Sequence, residues 1–176
     1  MTEIDRRHMV GALVAGSAAI SAGVMPPVTA QAAPVALAMT DLKKDTDAAC
    51  VYHCDFGDPA RFSQQLRNIG NHLAVYNSDP LALKIVIVAH SAGIKFFLSD
   101  LNGTPWAEDQ IDPDINKRMK ALALLGVEVY LCRVTFTTLK IDPAKARSDS
   151  YIKFVPSGIA TAAALQGKGF AYLKVG

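Results

Sequence analysis

Leu83-Lys84-Ile85-Val86-Ile87-Val88-Ala89-His90-Ser91-Ala92-Gly93 decides the fold. Its first seven residues are almost continuously branched-aliphatic, which leaves no polar face and predicts a strand buried on both sides, central in a parallel sheet. The run then passes through small and polar residues into a short helix, Ser91 to Leu98, the strand-to-helix turn of an α/β unit.

The same alternation repeats on either side. Upstream, the apolar run Cys50 to Cys54 leads to Asp58-Pro59, an N-cap followed by a proline suited to the first helical position. In the helix that follows, Phe62, Leu66, Ile69 and Leu73 fall on one face. Downstream, Asn102-Gly103-Thr104-Pro105 is a turn cluster. Asp112-Pro113 opens a second helix with Ile115, Met119, Leu122 and Leu125 on its inner stripe, closed by Gly126. Val127 to Cys132, Tyr151 to Val155 and Phe170 to Val175 read as further strands, the last two joined by a helix from Gly158 to Gln166. Five strands linked through right-handed helical crossovers predict an α/β fold: a three-layer αβα sandwich, flavodoxin-like, with about five mostly parallel strands.

The chain has 176 residues, 51% of them hydrophobic, enough for one domain with a real core. Eighteen Lys and Arg against sixteen Asp and Glu give a net charge of +2. With no block of like charges, nothing calls for nucleic acid. Residues 1–32 differ in composition: Arg6-Arg7, an uncharged Ala- and Gly-rich run from Met9 to Met25, Pro26-Pro27, then Ala30-Gln31-Ala32. That layout predicts a signal peptide of twin-arginine-like type, cleaved near Ala32, and hence a periplasmic location. The run is short against the roughly 20 apolar residues of a membrane span, and no later segment is long enough, so the mature chain has none. Residues 33–48 form an extended arm without period, and 49–176 the α/β domain.

In open α/β sheets, reactive groups gather at the carboxyl ends of the strands. That rule selects His53 and Cys54, His90 and Ser91, Cys132 and Arg133, and Ser157 with Gly158. Ala89-His90-Ser91-Ala92-Gly93 looks like a serine-hydrolase elbow, but that fold needs a histidine downstream of the serine. The four histidines are His8, His53, His72 and His90, so none follows Ser91. The stretch is therefore read as a tight turn whose backbone N–H groups, with His90, Ser91 and Gly93, line a substrate crevice.

Three cysteines leave one unpaired in any bridged arrangement. Cys50 and Cys54, on one extended strand, stand about 13 Å apart, beyond the ~7 Å reach of a disulfide. Cys50 reads as a small buried filler. Cys132 ends an apolar strand and precedes Arg133 and a turn into a helical segment, a setting that favours thiolate. Cys54 is a possible second thiol: if the first and third strands are neighbours, as in the flavodoxin order, their ends lie about 4.8 Å apart. The histidines and thiols lack metal-ligand spacing, so no metal and no cofactor is expected.

In order along the chain come Val51-Tyr52-His53 with Asp58-Pro59-Ala60, Asn68-Ile69-Gly70-Asn71-His72, and Val86 through Phe97. Gly126-Val127-Glu128-Val129 with Cys132, Ile141-Asp142-Pro143, Val155-Pro156-Ser157-Gly158-Ile159 and Leu165 through Tyr172 follow. Together these pieces resemble the DsrE/DsrF-like family, from about Cys50 to the C-terminus. The resemblance implies a flavodoxin-like sandwich, assembly into homo- or hetero-oligomers, and a link to sulfur transfer in which one cysteine carries a persulfide. Cys132 occupies the matching place after the third strand. Arg133 departs from the pattern, standing where small residues are common, and export departs from relays that work in the cytoplasm.

The expectation is a periplasmic sulfur-handling protein, a persulfide carrier or sulfurtransferase-like. Cys132 is its nucleophile, Arg133 and His90 lie beside it, and thiosulfate or polysulfide is the small sulfur compound. The alternative is a non-catalytic subunit that docks on copies of itself or on a periplasmic partner.

Overall fold

A computed structural model describes residues 33–176; the leader expected over 1–32 lies outside the described residues. The central strand is β3 (Leu83–Ala89), with its side chains buried on both faces as its composition requires. Parallel to it run β2 (Ala48–Cys54) on one side and β4 (Glu128–Cys132) on the other. Next to β4 is β5 (Ile152–Val155), and next to β2 is β6 (Ala171–Lys174).

A two-residue strand, β1 (Val35–Ala36), completes an all-parallel six-stranded sheet of order β1-β5-β4-β3-β2-β6. Five strands were legible in the side-chain pattern; the sixth is held by backbone pairing to Lys153 and Phe154. Leu37 N–H extends it, donating to the Phe154 carbonyl at 2.8 Å, and Leu42, 1% exposed, is packed into the core. The segment read as an arm thus lies along its own sheet.

Helix α1 (Pro59–Val75) starts where expected: the Asp58 carboxylate accepts from Ala60 N–H and Arg61 N–H at 2.8 and 3.2 Å. Its stripe Phe62, Leu66, Ile69 and Leu73 is buried against β2 and β3, and α2 (Pro113–Leu124), capped by Asp112, packs beside it. These helices cover one face of the sheet, the one that receives Cys50, Tyr52 and Cys54 from β2 and Ile85 and Ile87 from β3. Helix α4 (Gly158–Gly167), capped by Ser157, covers the other, with Ala49, Val51, Val86, Val88, Tyr130, Leu165 and Phe170. The inner strands β2, β3 and β4 therefore alternate between two cores, the arrangement of the three-layer αβα sandwich.

After β3 the chain makes a 3-10 turn rather than an α-helix, Ser91–Phe97. Gly93 to Phe97 are all buried, so the segment has no outer face, and Gly93 lies so close to β2 that an ideal Cβ would fall 2.1 Å from the Cys54 carbonyl oxygen. After β4 comes the six-residue helix α3 (Arg133–Thr138). Among the described residues no helix is long and apolar enough to cross a membrane.

The strand order corrects one expectation. β3 lies between β2 and β4, so the ends carrying Cys54 and Cys132 are two strand spacings apart, roughly 10 Å, and all three thiols are free. Side-chain periodicity carries no information on which strands become neighbours, and the flavodoxin order placed the first beside the third.

Candidate functional site

Because all the strands run the same way, their carboxyl ends share one rim. The register pairs Cys54 with Ala89, Ala89 with Leu131, and Cys132 with Val155, which brings the turns after β2, β3, β4 and β5 side by side. A cavity of about 380 Å³ opens there, lined among others by Cys132, His90, Ser91, Trp106, Thr135 and Ser157. Its mouth includes two exposed apolar side chains, Val134 at 54% and Ile159 at 61%.

Cys132 is the last residue of β4 and follows Tyr130 by two, so its side chain falls on the α4 face of the sheet. It is 4% exposed overall and lines the cavity. Ser91 holds the left-handed conformation, φ +49°, rare for a side-chain-bearing residue. Two bonds tie this turn down: Ser91 N–H donates to Thr135 Oγ1 at 3.0 Å, and His90 N–H to the Cys54 carbonyl at 3.0 Å.

The structure does not bring every residue selected from sequence to this cavity. Arg133 follows Cys132 directly, but it begins α3 and turns its guanidinium over the Phe154 ring, 5.1 Å from the centroid, and Phe154 belongs to the opposite core. Gly93 serves the close packing against Cys54. Cys54 is fully buried, and burial pushes its thiol well above the ordinary value.

His53, selected by the carboxyl-end rule but assigned no role, joins the rim. His53 precedes Cys54 and therefore faces the other way, onto the α4 side, where its Nε2 lies 2.5 Å from His90 Nε2. Its Nδ1 shares a 2.5 Å hydrogen bond with the Tyr172 hydroxyl, and His90 Nδ1 a 3.1 Å bond with Ser91 Oγ. A continuous line Tyr172–His53–His90–Ser91 results. Burial holds both imidazoles below the usual histidine range, against the opposing pull of the Asp55 carboxylate. Asp55 bonds Lys174 Nζ through Oδ2 at 2.7 Å. His53, Asp55 and His90 each offer a ligand atom within 4.8 Å of the others. The two histidines are 37 residues apart in sequence, and the register of β2 on β3 brings them together. His72 stays apart, on α1, bonded to the Tyr52 hydroxyl at 3.1 Å.

No curated protein matches the chain at a significant level. Among solved structures it is similar to MTH1491, a protein of unknown function from Methanobacterium thermoautotrophicum. The identity is 21%, the match covers 73% of this chain and 99% of that one, and the TM-score is 0.57, which speaks for the fold alone. The family model of the DsrE/DsrF-like family matches residues 31–175, nearly all of the described chain. With its parallel sheet, its helices on both faces and this match, the chain belongs to the DsrE/DsrF-like family, which is linked in general to sulfur transfer.

Proposed function

We propose that the protein is an exported sulfur carrier that holds a persulfide on Cys132. The observation that carries this reading is the cavity at the end of β4, with the Cys132 thiol in its wall and His90, Ser91 and Ser157 around it. Export rests on the leader read in residues 1–32, with Arg6-Arg7 before the uncharged run.

The chemistry balances without a cofactor. The Cys132 thiolate attacks the outer sulfur of thiosulfate; the new S–S bond forms as the old one breaks, and sulfite leaves with the electron pair. An acceptor thiolate then attacks the outer persulfide sulfur and restores the Cys132 thiolate. Polysulfide reacts in the same way, with a shorter polysulfide as leaving group. Ser91 Oγ, bonded to His90 Nδ1 in the wall of the cavity, supplies a polar contact to the anion. Arg133, laid over Phe154, takes no part in the present geometry. The exposed Val134 and Ile159 at the mouth suit the docking of an acceptor protein or of a second copy, so the assembly-subunit alternative draws on the same surface.

Incubating the full chain with thiosulfate or polysulfide and measuring its intact mass tests the reading. The expected result is a gain of one sulfur atom that is lost in Cys132→Ser and kept in Cys54→Ser. No gain with either donor overturns it.

A further inference from the structure

We propose that His53, Asp55 and His90 form a binding site for one borderline divalent metal ion, zinc(II) in the first instance, at the carboxyl ends of β2 and β3. The donors are two imidazole nitrogens and a carboxylate from three positions, with their ligand atoms within 4.8 Å of one another. Such a nitrogen-rich set suits zinc or copper(II) rather than magnesium or calcium, which prefer all-oxygen shells.

The two Nε2 atoms point at each other across 2.5 Å, while each Nδ1 meets a hydroxyl, Tyr172 on one side and Ser91 on the other. If each Nδ1 carries the hydrogen and donates to its hydroxyl, both Nε2 lone pairs converge on one point, where a cation can bind. Metal-bound histidines are usually oriented in this way, by a hydrogen bond from the ring nitrogen that does not bind. Around a tetrahedral zinc ion with bonds of about 2.0–2.1 Å, two nitrogens stand roughly 3.3 Å apart. Binding therefore requires the pair to open from its 2.5 Å separation.

The supporting frame is rigid on one side and open on the other. His53 is 6% exposed on β2, bonded to neighbouring β3 through the full strand register. The His90 ring lies against Gly158, where an ideal Cβ would fall 2.9 Å from the ring-bearing carbon, so α4 gives up a side chain to make room for it. Asp55 and His90 are partly exposed and provide an entry path. Lys174 holds Oδ2 of Asp55 and leaves the carboxylate a second oxygen to offer. Three protein ligands leave a fourth position free. The set contains no sulfur, so it is independent of Cys132 although His90 borders both.

The full chain, freed of metal by chelator dialysis, is titrated with zinc chloride by calorimetry and with cobalt(II) chloride by absorption. The expected result is one ion per chain, with cobalt ligand-field bands and no thiolate charge-transfer band. His53→Asn and His90→Asn weaken binding by roughly 100-fold or more, and Tyr172→Phe, which only orients His53, by about 10-fold. Asp55→Asn, at the partly exposed rim, weakens it at least about tenfold, while Cys132→Ser binds as the parent does. Zinc uptake no stronger than that of His90→Asn overturns the site, as does loss of the ion in Cys132→Ser or a thiolate band with cobalt. Because Cys132→Ser abolishes sulfur loading and spares zinc, failure of one reading is distinguishable from failure of the other.

Discussion

Cys54 and Cys132 both end a parallel strand on the same rim, and their surroundings could hardly differ more. Cys54 turns toward α1 and α2, and the 3-10 segment after β3 is pressed onto it, with Gly93 against its carbonyl oxygen and sulfur. Cys132 turns toward α4, and the chain beyond it departs into α3, leaving a cavity against the thiol. A place at the end of a strand therefore does not decide whether a thiol is available. The face it takes, and how closely the next element folds back over it, do.

The seal over Cys54 is the most breakable part of this contrast. Gly93→Ala puts a methyl group into a backbone carbonyl that cannot swing away, and is expected to cost roughly 3 kcal/mol in urea denaturation. A cost within ordinary surface variation would mean that the closure is loose. Next in size is the difference between the thiols themselves. Alkylation of the native chain followed by peptide mapping is expected to label Cys132 at least about 100-fold faster than Cys54, since reaching Cys54 requires opening the core. Equal rates would erase the contrast.

The smallest effect comes from titration. The Cys54 thiol, with an ordinary value of 9.0, is raised by burial, so above that pH the unfolded chain releases a proton that the folded chain keeps. Stability is complete below about pH 9 and falls as pH rises toward the folded value, by about 1.4 kcal/mol per pH unit from this group. Cys54→Ala is expected to flatten that slope in denaturation series from pH 8 to 10, and Cys132→Ser to leave the Cys54 contribution in place.

Much of this architecture was readable in advance because it rests on local chemistry. The branched-aliphatic run at Leu83 to Ala89, the four-residue stripe of α1 and the Asp-Pro openings at Asp58 and Asp112 each fix an element with residues inside it. β1 escaped notice because two residues carry no period and hold by backbone pairing alone. At the site, the carboxyl-end rule selected Cys132, His90 and Ser91, which do share a cavity. It also selected Arg133, since adjacency in sequence was taken for adjacency in space, and α3 carries that side chain elsewhere. The same rule selected His53, which was given no role although the signal was present. Its parity puts it on the face of Val51 and away from Cys54, and only the register of β2 on β3 reveals that His90 waits there.

The pairing of Val35 and Ala36 with Lys153 and Phe154 sets an order of events during synthesis. The earliest described residues have no template until β5 has left the ribosome, after β2, β3 and β4. Closing so long a loop is slow as well as late. The amides of this border strand should gain protection from hydrogen exchange later than those of β2, β3 and β4, although they come first in the chain. Until then one margin of the nascent sheet stays open to capture by another chain.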